Sequence, residues 1–155
     1  MSTPAVNALT AAGVPFTLHE YEVAEAVGEG YGEAVAAALD TVPERVFKTL
    51  MAVVDDRHVV AVVPVAGRLS PKALARAAGG KKASMADAAD AERLTGYVSG
   101  GISPLGQRRR HPTFVDRTAT EFPTVFVSAG KRGLQVELSP GDLVAVTSGE
   151  IAPLV

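Results

Sequence analysis

Apolar residues recur at two periods along this chain, and the switches between them mark its elements. Val6, Leu9 and Ala12 fall at helical spacing, Thr3-Pro4 supplies an N-cap followed by proline at the first helical position, and Gly13 is placed to end the helix. Val14, Phe16 and Leu18 then alternate loosely, which predicts a strand over Val14–Tyr21. Glu22–Gly30 is acidic and glycine-punctuated and reads as a loop; the alanine-rich Tyr31–Leu39 reads as helix. Val46–Val54 and Val59–Val65 are apolar runs separated by the turn residues Asp55-Asp56-Arg57, which predicts a hairpin. The second run has almost no polar position, so both of its faces should be covered.

Ser70-Pro71 caps a further helix that should stop at Gly79-Gly80. Ser84 with Asp87 resembles a capping box for a short helix ending near Leu94. Thr113–Asp116 is a short strand. Thr124–Ser128 and Leu134–Leu138 form a second hairpin, and alternation with Gln135 and Glu137 predicts a half-exposed last strand. Ser139-Pro140 with Asp142 starts a final short helix, and Val144–Thr147 is expected to add an edge strand. Strands arrive in hairpins with helices between the pairs. The expected class is therefore α+β, with a mixed, largely antiparallel sheet.

Composition changes this picture little but narrows the chemistry. A chain of 155 residues, 47% hydrophobic, suits one domain over 1–155 with a core of Ala, Val and Leu, since aromatics are only 5%. The net charge of −2 gives no global pull on polyanions, so any nucleic-acid contact has to come from a local patch. With no cysteine, disulfides, thiolate metal sites and a cysteine nucleophile are excluded. No run is long enough to span a membrane and no signal peptide is visible, so a cytoplasmic protein is expected.

The densest candidate chemistry is Gly96–Gly106, where four glycines and one proline fall in eleven residues. Such a segment presents backbone N–H and C=O groups to something small, or is simply a surface turn. Arg108, Arg109 and Arg110 follow at once, and Lys131 and Arg132 occupy another turn. If the two turns meet, they make a basic rim suited to the phosphates of a nucleotide end. Lys48 lies inside an apolar strand, on one face with Val46, Leu50, Ala52 and Val54, while Thr49 points to the other. It either snorkels to water at a strand end or meets an anion in a cleft. His19, His58 and His111 show no metal-ligand spacing, and no serine-based triad is visible. An enzyme with these residues would work by positioning and by backbone dipoles.

Phe47-Lys48-Thr49-Leu50, Gly96-Tyr97, Gly100-Gly101-Ile102-Ser103-Pro104-Leu105-Gly106 and Val127–Leu134, with Thr3-Pro4-Ala5 and His19-Glu20-Tyr21, together resemble the YbaK/EbsC family of aminoacyl-tRNA deacylases. That family is similar to the editing insertion of bacterial prolyl-tRNA synthetase. The resemblance implies a partly closed sheet flanked by helices and a trans-editing deacylase of mischarged tRNA, with Cys-tRNA(Pro) first and an alanyl ester second. It implies Lys48 and Gly101 as catalytic groups. Tyr21, Thr49, Gly100, Ile102, Ser103, Pro104, Ser128 and Gly130 would bind substrate, and the five basic residues of the two turns would contact tRNA. It implies no metal or cofactor, and no membrane or DNA partner. The partner would be the acceptor end of mischarged tRNA(Pro), with prolyl-tRNA synthetase as a further candidate. In the YbaK branch the substrate's own thiol attacks its ester, which accounts for the missing nucleophile. Members often carry a second histidine and an aspartate soon after the tyrosine, and here Glu22-Val23-Ala24-Glu25-Ala26 stands instead. A non-catalytic module holding tRNA ends or a synthetase is the competing expectation.

Overall fold

The computed structural model describes residues 2–22 and 30–155, so most of the expected Glu22–Gly30 loop lies outside the described residues. Helix α1 (Pro4–Ala12) begins as its sequence dictates. The Thr3 hydroxyl accepts from the Val6 N–H, and Gly13 closes the helix in a left-handed conformation at φ 70°. Strand β1 (Thr17–Glu20) and helix α2 (Tyr31–Ala38) follow. The hairpin β2 (Phe47–Val54) and β3 (Arg57–Pro64) comes next, with Lys48 opposite Val63. Helix α3 (Pro71–Ala77) is capped by Ser70.

Two short elements depart from expectation. Ser84 caps nothing: it sits in strand β4 (Ala83–Met85), paired antiparallel to Val53, and helix α4 (Ala88–Thr95) starts only after Asp87. The edge strand expected at Val144–Thr147 is instead part of helix α5 (Pro140–Thr147), capped by Ser139. The edge strand is β8 (Glu150–Ala152), parallel to β5 (Thr113–Asp116). The second hairpin is β6 (Val125–Lys131) with β7 (Leu134–Leu138). β7, the central strand between β1 and β6, is not half exposed: Gln135 is buried beside Tyr21, and Glu137 is engaged by His19, Arg45 and Thr124.

The strands form two sheets, ordered β1-β7-β6 and β4-β2-β3-β5-β8. Most pairings are antiparallel; β3–β5 and β5–β8 are parallel. Among the described residues the sheets do not close on themselves, and they are bridged at one isolated parallel pair, Val46 to Phe126. β3 is covered on both faces, as its unbroken apolar run requires. Val60 and Val62 pack into a core with Leu9, Met51, Val115 and Val127, while Val59, Ala61 and Val63 pack against Leu74 of α3.

Arg45 fastens the bridge. Its guanidinium donates to the Thr124 carbonyl at 2.8 Å, to the Thr124 hydroxyl, and to Glu137 at 3.0 Å. His19 meets the other Glu137 oxygen at 2.8 Å and lies against the Phe126 ring. His19 is thus a structural residue at the sheet junction.

Candidate active site

Past the Val46–Phe126 bridge, β2 and β6 share no further ladder pair among the described residues. β2 regains a neighbour on that edge only at Met51, whose carbonyl accepts from the Ala86 N–H at 3.1 Å. The gap so opened is a cleft of about 570 Å³. Val46–Leu50 form one wall, Ser128 and Gln135 the other, and Ser99, Gly100 and Ile102 of the glycine-rich loop close over it. The first turn of α2 and the Val65–Arg68 loop complete the rim. Lys48 and Thr49 both line it, although they alternate along the strand, because the wall wraps the free end of β2.

The Lys48 side chain is half-buried. Among the described residues its ammonium has no carboxylate within ion-pair distance. Two buried side-chain oxygens with no hydrogen-bond partner among the described residues, Thr49 Oγ1 and Gln135 Oε1, also belong to cleft residues. Orphaned polar atoms are rare in folded cores, and two of them fall at this one cleft. Gln135 is held by its other end, where Nε2 donates to the Tyr21 hydroxyl at 3.4 Å. Tyr31 lines the cleft as well, and burial, reinforced by Tyr21, raises its pKa.

The glycine-rich loop is fixed rather than loose. Ser128 donates its hydroxyl hydrogen to the Gly101 carbonyl at 3.0 Å and accepts from the Gly130 N–H at 3.1 Å. Gly101 donates its own N–H to the Val98 carbonyl at 3.0 Å. A Cβ at Gly101 would lie 2.7 Å from the Lys131 Cα, so only glycine lets the loop cross the β6–β7 turn. Both peptide groups of Gly101 are therefore engaged inside the protein, and Gly101 does not line the cleft. The N–H groups beside it, on Gly100 and Ile102, have no protein partner among the described residues.

The other expected site residues divide between cleft and surroundings. Ser103 is fully buried, its Oγ accepting from the Leu105 N–H, and Pro104 lines a separate cavity with Arg110 and His111. The loop turns inward after Ile102, which takes both away from the cleft. Gly130 packs beneath Tyr97 and Thr3. Tyr21 lies in a neighbouring hollow with Lys131 and Arg132, one hydrogen bond from the cleft through Gln135. Arg132 reaches the cleft rim by donating to the Ser99 carbonyl at 3.1 Å. Arg108 lies against Gly96, Arg109 is exposed, and Arg110 donates to Ser148 at 3.0 Å. Arg110 of the triplet and the Lys131–Arg132 turn thus line different hollows instead of one common rim.

Tyr31, Arg68 and Gln135 were not singled out by sequence reasoning. Gln135 alternates with buried residues and read as the outer face of an exposed strand. Its position between two neighbouring strands is a long-range fact that no local pattern carries.

The chain belongs to the aminoacyl-tRNA editing domain family, whose model matches residues 29–146. A protein of Enterococcus faecalis (strain ATCC 700802 / V583), described as "Putative Cys-tRNA(Pro)/Cys-tRNA(Cys) deacylase EbsC", is 40% identical over 136 residues, which cover 87% of this chain and 83% of that protein. The fold matches a crystal structure described as "a putative trans-editing enzyme for prolyl tRNA synthetase", with a TM-score of 0.86 at 23% identity over 99% of this chain and 98% of that one. It matches that of the hypothetical protein APE2540 equally, with a TM-score of 0.86 at 24% identity over 98% and 99% of the two chains.

Proposed function

We propose that this chain is a trans-editing deacylase that clears mischarged aminoacyl-tRNA, with Cys-tRNA(Pro) as its substrate. The observation that carries the reading is one cleft lined by Lys48, Gly100 and Ile102, in which the N–H groups of the two loop residues have no protein partner among the described residues. Family membership and the EbsC relative support the same reading.

Lys48 meets the phosphate or ribose of the 3′ adenosine. Thr49 and Gln135 shape the wall against which the aminoacyl group lies. The Gly100 and Ile102 N–H groups point their dipoles at the ester carbonyl, where negative charge develops as the bond breaks. The cysteine thiol of the substrate attacks that carbonyl. A carbon–sulfur bond forms, the carbon–oxygen ester bond breaks, and the thiol proton ends on the released ribose hydroxyl. The products are a cyclic thioester and uncharged tRNA. The protein supplies orientation and electrostatics and no nucleophile. This work belongs in the cytoplasm, beside a prolyl-tRNA synthetase.

A deacylation panel of Cys, Ala, Ser and Pro esters on tRNA(Pro) and tRNA(Cys) tests the reading. Fastest loss of the cysteinyl ester from tRNA(Pro) is expected. Loss of no ester on either tRNA would reduce the chain to a binding module.

A further inference from the structure

The sequence concentrates charge in a way the cleft does not explain. Between Arg57 and Lys82 there are six Lys or Arg residues and no Asp or Glu. The whole chain is −2 and this segment is +6, which leaves −8 for everything else. Within the fold the six cations are all exposed. They are also connected in space. Arg68 lines the mouth of the cleft. Lys72 and Arg76 lie one turn apart on α3 and so share a face. Arg57 donates to the Ala78 carbonyl at the end of that helix at 3.0 Å, and Lys81 and Lys82 follow it. None of the six has a carboxylate within ion-pair distance among the described residues. Asp55, at the far end, accepts from the backbone N–H groups of Lys81 and Lys82 at 3.2 and 3.1 Å.

We propose that this strip, from Arg68 along Lys72 and Arg76 to Arg57, is the docking surface for the sugar-phosphate backbone of the tRNA acceptor stem. An unpaired basic track in an acidic protein is the electrostatic footprint of a polyanion. Because the track starts at the cleft mouth, its occupant has to be continuous with whatever end enters the cleft. An RNA whose 3′ terminus is held by Lys48 meets that condition, and a lipid surface does not. Contacts of this kind position without reading sequence, so the strip would fix the approach of the stem and leave the choice of ester to the cleft.

The proposal rests on the editing reading, and the test separates the two. Uncharged tRNA(Pro) transcript is titrated against the wild-type chain and the double variant Lys72→Glu, Arg76→Glu by fluorescence anisotropy across a salt series. Both side chains are exposed, and a circular dichroism melt checks the fold. Affinity should fall about tenfold or more. The slope of log affinity against log salt should become shallower by about 2, one phosphate for each cation. The neutral pair Lys72→Gln, Arg76→Gln should lie between. Cleavage of a cysteinyl ester on the terminal adenosine alone should not change. Affinity within twofold of wild type in the charge-reversed variant would overturn the proposal. So would a loss confined to binding of phosphatidylserine vesicles with tRNA affinity intact. A wild-type chain that binds tRNA through the strip but cleaves no ester would sink the editing reading and leave the strip standing.

Discussion

Ser128 Oγ and the Gly101 carbonyl oxygen lie 3.0 Å apart, and that one hydrogen bond ties the glycine-rich loop to the strand opposite Lys48. It decides where the free N–H groups of Gly100 and Ile102 stand. Ser128→Ala removes it together with the acceptor for the Gly130 N–H. The expected cost is about 1–3 kcal/mol in urea unfolding, because two backbone groups lose a partner. Deacylation should fall further than stability does, through kcat, since the loop loses its register over the ester. A variant with unchanged kcat would show that the loop is held by other contacts.

Gly101→Ala tests the crossing beneath the loop. Its Cβ would press on backbone, the Lys131 Cα at 2.7 Å, which cannot rotate away. A loss of about 2 kcal/mol or more is expected from thermal denaturation, in the range of an overpacked core. An unaltered melting temperature would mean that the loop and the β6–β7 turn part easily.

Thr49→Val should separate stability from function. The Thr49 hydroxyl oxygen is buried with no partner among the described residues, so an apolar replacement of the same shape removes a desolvation penalty. The melting temperature should rise slightly while kcat/KM for the cysteinyl ester falls. A fall in both would instead make Thr49 an ordinary structural residue.

The Glu137 carboxyl has its pKa lowered, first by the Thr124 hydroxyl and then by His19 and Arg45, against an opposing effect of burial. A depressed carboxylate stabilises the fold above its unfolded value. That contribution disappears as pH falls below 4.5, the ordinary value, through the lower folded one. Wild type should lose stability more steeply in that window than Glu137→Gln, as urea midpoints across the acid range would show. Parallel curves would contradict the assignment.

Tyr97 gives the opposite sign. Burial pushes its hydroxyl from 10.0 up to about 12, and that hydroxyl donates to the Leu105 carbonyl at 2.6 Å. The folded state keeps a proton that the unfolded chain releases, so stability should be lost as pH rises from 10 towards 12. Tyr97→Phe should be less stable at neutral pH and flatter in that alkaline window. An alkaline melting series equally steep in both proteins would rule this out.

What could be read in advance followed the reach of each signal. Thr3, Ser70 and Ser139 each precede a proline and each caps a helix, because a cap is a contact across three residues. Ser84 carried a similar local signal and failed, because pairing with Val53 from a distant strand decided its state. Val144–Thr147 has the apolar composition of a strand, but the Ser139-Pro140 start carries the helix through it. At the cleft, Lys48 stood out as a charge among apolar neighbours, and Gly100 and Ile102 as part of a glycine-rich loop. Ser103 and Pro104 belong to the same run but follow the chain inward, which spacing alone does not reveal. Arg68 and Gln135 reach the cleft only through the packing of the β3–α3 loop and the two sheets.

The most direct measurement compares wild type with Lys48→Ala on Cys-tRNA(Pro) under single-turnover conditions, with melting temperatures taken in parallel. A side chain that aligns the 3′ adenosine against the loop should, when removed, slow ester loss at least about 100-fold and leave the fold intact. Ester loss at the wild-type rate in a folded Lys48→Ala chain would contradict the account.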